Sequence, residues 1–260
     1  MNVTIAGDSH IGVLAKALVQ MQEEGMWPAD LVVRCDGANE GLWRQGFYAD
    51  QGDRLDIVDL RFRRILGFHS LSLGEPVDQV LGLCVHYHSN RFWRHRQWLK
   101  FAPMGMQTKE TPLSRQLIEQ MALDDQEDML NFTRLLRRFG LKVFAIEAPR
   151  PFRDHEAIAR MKLRLDVVVA VDRMYRTAIR LALEGMSVPT LGIPLESLGS
   201  DGFMKPEYRS DREGDKHHAN VDHGRLMMQQ LPAFLAKHFG EAQVNVSVAA
   251  PALSAQAQRG

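Results

Sequence analysis

Ser9 stands in Gly7-Asp8-Ser9-His10, directly after the apolar run Val3-Thr4-Ile5-Ala6. Beyond it Ile11, Leu14, Leu18 and Met21 recur on one helical face, and Gly25 with Pro28 supplies a stop. The pattern predicts a strand, a tight turn and a helix starting near His10. A serine in that turn has its own N–H among the orphan donors of the helix N-terminus, where the helix dipole favours developing negative charge. Such a residue is suited to be a nucleophile with half of an oxyanion hole beside it. A plain helix cap would use the same residues equally well. A serine hydroxyl also needs a base. The richest supply lies near the other end, in Asp215-Lys216-His217-His218-Ala219-Asn220-Val221-Asp222-His223-Gly224. Asp215-x-x-His218 would set a carboxylate beside an imidazole on one loop, fixing the tautomer and orientation of the ring as a triad requires. His217 lies one residue out of that register. The string lacks a His-x-x-x-His pair and contains no cysteine, so it is assigned no metal ligand set.

The elements that must position these groups alternate along the chain. Strands are predicted at residues 30–35, 55–59, 80–85, 141–146 and 187–191, the last confined by Pro189 to an edge or a strand end. The run at 80–85 is apolar throughout, as in a strand buried on both faces. Residues 36–54 read as a loop. One long helix is expected over 113–138, a mostly helical stretch over 155–185, and a closing helix over 222–238. Alternating strands and helices predict an α/β domain with a parallel central sheet, whose functional groups collect beyond the carboxyl ends of the strands. The domain is expected to span residues 1–247, with a disordered, Ala-, Gln- and Pro-rich tail at 248–260.

Composition narrows the function classes. The 260 residues carry 32 Lys+Arg against 32 Asp+Glu, so no basic excess argues for nucleic acid. No apolar run reaches the ~18–20 residues that cross a bilayer. Met1 leads into a strand without a secretory signal, and Cys35 and Cys84 sit in apolar runs. The expectation is a cytoplasmic protein with buried, reduced thiols.

Taken together, the Gly-Asp-Ser turn after the first strand and the Asp-x-x-His before the last helix resemble the SGNH/GDSL hydrolase superfamily. At positions 7–9 and 215–218 of 260, the resemblance spans nearly the whole chain. Gly202-Phe203-Met204-Lys205-Pro206-Glu207-Tyr208, followed by His218-Ala219-Asn220 and Gly224, is similar to a bacterial branch of SGNH-type proteins. Some of that branch are associated with polysaccharide or sugar modification. The resemblance implies a flavodoxin-like three-layer α/β/α sandwich. It implies a serine-dependent hydrolase of small or carbohydrate esters, working through an acyl-enzyme without a cofactor. It implies Ser9 as nucleophile, His218 as general base and Asp215 as its orienting partner. For the oxyanion it implies Ser9, a glycine after the second strand and an asparagine after the third. Gly37 is the best placed glycine, with Gly41 and Gly46 competing, and Asn90 is the asparagine. Where the family has Gly-x-Asn, this chain has His88-Ser89-Asn90, which leaves His86 and His88 as further oxyanion or substrate donors. Asp8 and His10 join them as candidate substrate contacts.

Arg91-Phe92-Trp93-Arg94-His95-Arg96-Gln97-Trp98 interleaves arginines with large aromatics. Arg91 and its neighbours would suit an anionic acceptor or the phosphates of an acyl-CoA. Aromatics in the core with arginines reaching outward fit the same stretch. Arg61-Phe62-Arg63-Arg64 reads as a solvated face. The alternatives to a hydrolase are therefore an O-acyltransferase with an acyl-CoA donor and a sugar acceptor, or an SGNH-shaped binding protein. The sequence leaves the oligomeric state open.

Overall fold

In the computed structural model, which describes residues 1–44 and 46–240, strands and helices alternate as expected. The strands, numbered along the chain, are β1 (Asn2–Gly7), β2 (Val32–Gly37), β3 (Tyr48–Asp50), β4 (Arg54–Ile57), β5 (Ser70–Ser72), β6 (Val80–Cys84), β7 (Phe101–Pro103), β8 (Thr111–Leu113), β9 (Lys142–Ile146) and β10 (Thr190–Leu191). Five of them form one parallel sheet in the order β10-β9-β6-β1-β2. The all-apolar β6 lies in the middle, buried at every position. β3, β4 and β5 make a small antiparallel sheet, and β7 pairs with β8.

The period of two along each strand divides the core into two layers. Val3 and Ile5 of β1, Val80 and Cys84 of β6, and Phe144 and Ile146 of β9 pack with α1 (Ile11–Glu23) and α8 (Val221–Phe239). Ala6, Leu81, Leu83, Val143 and Ala145 face the other way. They join residues of α5 (Glu127–Arg138) and α7 (Leu165–Gly185). The result is a three-layer α/β/α sandwich with flavodoxin-like strand order. After β2 the chain returns to the opposite side of β1. The switch point therefore lies between β1 and β6, where a crevice opens at their carboxyl ends.

Several expectations are corrected. The single helix expected over 113–138 is two: α4 (Arg115–Asp125) and α5 meet at Gln126, whose backbone leaves helical geometry at φ −108° and ψ 10°. The buried Gln126 amide donates to Tyr175 Oη (2.8 Å), an anchor that a continuous exposed helix face would lack. The stretch 155–185 breaks at Lys162 (φ +53°) between α6 (Glu156–Met161) and α7. Val167, Val168 and Val169 are helical despite their β-branches, because all three are buried. The 61–64 cluster lies in α2 (Leu60–Leu66), capped by Asp59, and Phe62 is fully buried beneath its arginines. The loop expected at 36–54 holds β3 and a 3₁₀ turn at Glu40–Arg44. β10 is an edge strand, as Pro189 requires. Cys35 and Cys84 are free thiols. Among the described residues no helix is long and apolar enough to cross a membrane. The expected domain end at 247 and the tail at 248–260 lie outside the described residues.

Candidate active site

Ser9 follows β1 because the chain must leave the sheet through a very tight turn. Gly7 and Gly37 make that possible. A Cβ on Gly37 would lie 2.7 Å from Ile11 Cγ2, 2.8 Å from Gly7 O and 3.0 Å from Asp8 O. A Cβ on Gly7 would lie 2.8 Å from Cys84 Cβ. Asp8 Oδ1 accepts the His10 N–H (3.0 Å), which closes the turn and starts α1. Ser9 itself is exposed, and its N–H makes no hydrogen bond among the described residues.

The loop bearing the base is shaped by its own carboxylate. Asp215 Oδ1 accepts the N–H groups of His217 and His218, each at 3.0 Å. Ser210 N–H donates to His218 O (2.9 Å) and Asn220 N–H to Tyr208 O (2.9 Å), which pins the loop to the 3₁₀ turn at Pro206–Tyr208. Asn220 then caps α8 by accepting His223 N–H. The helix lies hard against α1. A Cβ on Gly224 would come within 2.7 Å of Val13 O, so glycine allows the approach that carries His218 to Ser9.

Residues 209 positions apart thereby make one hydrogen-bonded line. His218 Nε2 is 2.9 Å from Ser9 Oγ, and His218 Nδ1 is 2.9 Å from Asp215 Oδ2 and 3.2 Å from Oδ1. A carboxylate at Nδ1 holds the proton there, so Nε2 is the acceptor for the serine hydroxyl. Partial burial pushes the Asp215 carboxyl up. The His218 and His217 N–H groups and the His218 ring outweigh it and hold the carboxyl well below the usual carboxylate range. The line runs along an open groove of about 810 Å³ bordered by Ser9, Val13, Lys16, Arg212, Asp215 and His218.

Comparison with known proteins agrees with this architecture. No protein-family model matches the sequence, and no curated protein matches it. Among solved structures, the chain is similar to a Streptococcus pneumonia protein described under platelet activating factor. That match has a TM-score of 0.51 at 12% identity and covers 90% of this chain and 83% of the other. The shared feature is the three-layer α/β/α architecture. A GDSL-like lipase from Bacteroides thetaiotaomicron is also similar (TM-score 0.46, 12% identity, 91% of this chain and 87% of the other). So is an acetyl xylan esterase (TM-score 0.47, 12% identity, 90% of this chain and 100% of the other). At these identities the likeness is one of fold.

The remaining sequence candidates separate. Asn90 stands at the start of α3 (Ser89–Trp93), its Nδ2 3.4 Å from the Nε2 of His217, and it borders the small cavity beside His217, not the Ser9 groove. The Gly37 N–H is turned onto Asp36 Oδ1 (2.9 Å), so this glycine serves close packing beneath the Ser9 turn and does not offer a free oxyanion donor. His86 is fully buried and hydrogen-bonded through Nε2 to Thr133 Oγ1 of α5 (2.8 Å), away from the groove. Arg91 is held by Glu40 (2.9 Å) and Asp125 (2.7 Å), and those two carboxylates take its fork in place of a substrate. Asp8, His10 and His88 are buried beneath the turn and do not border the groove. Phe92, Trp93 and Trp98 are core. His217 borders a small cavity with His10, His88, Asn90, Trp93 and Arg150, and its burial and the neighbouring His10 and His218 push its ring down to about 3.

Sequence reading missed the support beneath Asn90. Asp172 accepts from Ser89 Oγ and from Arg176 Nε (2.9 Å), while the Arg176 fork reaches Ala148 O (2.9 Å) and Pro149 O (3.0 Å). The signal was available as an Asp-x-x-x-Arg pair on the apolar face of α7. The Trp93 and His217 contacts of His155 had no local signal.

Proposed function

We propose that this protein is a serine-dependent ester hydrolase acting on a small or carbohydrate ester through an acyl-enzyme. The observation that carries the reading is the Ser9–His218–Asp215 line, with 2.9 Å at both of its links. In the reaction, Ser9 Oγ attacks the ester carbonyl carbon while its proton passes to His218 Nε2. Asp215, acceptor-only in its ionised form, holds the ring and stabilises the imidazolium. The carbonyl oxygen gains charge as the tetrahedral intermediate forms. It is met by the unengaged Ser9 N–H and by Asn90 Nδ2, whose second hydrogen is not needed by His217. Collapse expels the alcohol, which takes the proton from His218. A water then gives a proton to the same nitrogen and attacks the acyl carbon; the second tetrahedral intermediate collapses with release of the acid, and the departing Ser9 Oγ takes that proton back from His218. An open groove supports an ester whose alcohol portion extends along the surface, as a sugar would.

The test is labelling with a fluorophosphonate followed by peptide mass spectrometry, on wild type and on His218→Ala. The expected result is a phosphonylated Ser9 in wild type and little label without His218, followed by turnover of acetylated sugars or aryl acetates. A folded wild-type protein that takes no label, or takes it on another serine, overturns the assignment.

A further inference from the structure

We propose that Asp8, His10 and His88 form a site for one divalent transition-metal ion of the zinc class, clamping the turn after β1 to the segment after β6. All three side chains are buried, at 4%, 6% and 4% exposure. Each offers one ligand atom, and these atoms lie within 4.8 Å of one another. Asp8 Oδ2 approaches His88 Nε2 to 3.3 Å, yet among the described residues that nitrogen has no hydrogen-bond partner, and neither has His10 Nδ1. A buried imidazole nitrogen left unpartnered is costly, and two beside one carboxylate are rarer still. A cation accepting a lone pair from each group removes the cost. Two ligands each ~2.0–2.1 Å from a tetrahedral ion lie roughly 3.3 Å apart, which is the Asp8–His88 spacing. Two imidazoles and a carboxylate suit zinc, and three protein ligands leave a fourth position. The small cavity bordered by His10, His88, Asn90 and His217 has room for about one water. The other Asp8 oxygen is held by the His10 N–H (3.0 Å), which aims the carboxylate as outer-shell hydrogen bonds do in metal sites.

None of the three side chains borders the groove that holds Ser9, so the ion is a clamp behind the turn and does not depend on Ser9 being a nucleophile. The test strips the full chain with a chelator, titrates it with Zn²⁺ against a chromophoric competitor and counts bound metal by mass spectrometry. One equivalent is expected in wild type, with a rise in Tm, retained in Ser9→Ala and His218→Ala and lost in His10→Ala and His88→Ala. His88→Cys keeps a ligand. Loaded with Co²⁺, it should gain a thiolate-to-cobalt charge-transfer band that wild type lacks. A wild-type chain that takes up no stoichiometric zinc overturns the proposal. So does a His88→Cys protein that binds cobalt without that band, or zinc lost in His218→Ala and kept in His88→Ala.

Discussion

Two clusters of titratable side chains share the carboxyl ends of β1 and β6, and they differ in their access to water. Ser9, His218 and Asp215 border an open groove, with His218 28% and Asp215 17% exposed at the side chain. Asp8, His10 and His88 sit under the same turn and are nearly closed off. Alternate residues of one tetrapeptide are thus divided: Ser9 faces out, while Asp8 and His10 face in. In the groove, every proton-bearing group has a partner in line, and the carboxylate is stabilised by two backbone N–H groups. Beneath it, two imidazole nitrogens lack partners among the described residues. One cluster is a hydrogen-bonded line open to water, the other a closed set of ligand-type atoms.

The sharpest break of that comparison comes from the groove. If activity on esters is established, Ser9→Ala should lower kcat about 10⁶-fold and Asp215→Asn about 10⁴-fold, because the serine carries the bond and the carboxylate orients the base. Equal losses for Ser9→Ala and His88→Ala in a folded protein would erase the distinction. Asn90→Ala should lower kcat about 10²-fold with little change in KM if the amide meets the oxyanion. An unchanged rate removes Asn90 from the site.

Gly224→Ala tests whether helix packing sets the Ser9–His218 distance. The added Cβ meets Val13 O at 2.7 Å, so α8 must shift away from α1. A shift of about 1 Å should cost roughly 10²-fold in rate. A Tm loss with full activity would mean that the loop, not the helix, positions His218.

The smallest effect concerns stability. Burial pushes the His223 ring, on α8 beside the site, down to about 4. An unfolded histidine titrates near ~6.5, so between about 6.5 and 4 the unfolded chain binds a proton that the folded chain does not. Stability therefore falls as pH is lowered through that window. Tm should be lower at pH 5 than at pH 7, with a shallower slope in His223→Gln. Equal slopes would assign the titration to another group.

Much of this was legible along the chain. Short apolar runs identified β1, β6 and β9, and the turn residues marked the Ser9 corner, because each signal is written within a few neighbours. Asp215 and His218 could be paired from spacing, since their carboxylate–imidazole contact is made inside one loop. The break at Gln126 was hidden, because the burial of its amide against Tyr175 decides it. Arg91 failed as a substrate contact for the same reason. Glu40 and Asp125, which neutralise it, come from distant parts of the sequence.

The sequence by itself determined which residues could act: a serine at a helix start, an Asp-x-x-His loop and a sheet to carry them. Their local geometry follows from hydrogen bonds and φ/ψ preferences that span only a few residues. Only the tertiary structure decided which groups meet. His218 and not His217 faces Ser9, and the Gly37 N–H is spent on Asp36. Asp8 with His10 and His88 form a second, buried cluster. Those outcomes depend on how closely α1, α8 and the strand ends pack. Packing is a property of surfaces brought together from across the chain, and no window of sequence contains it.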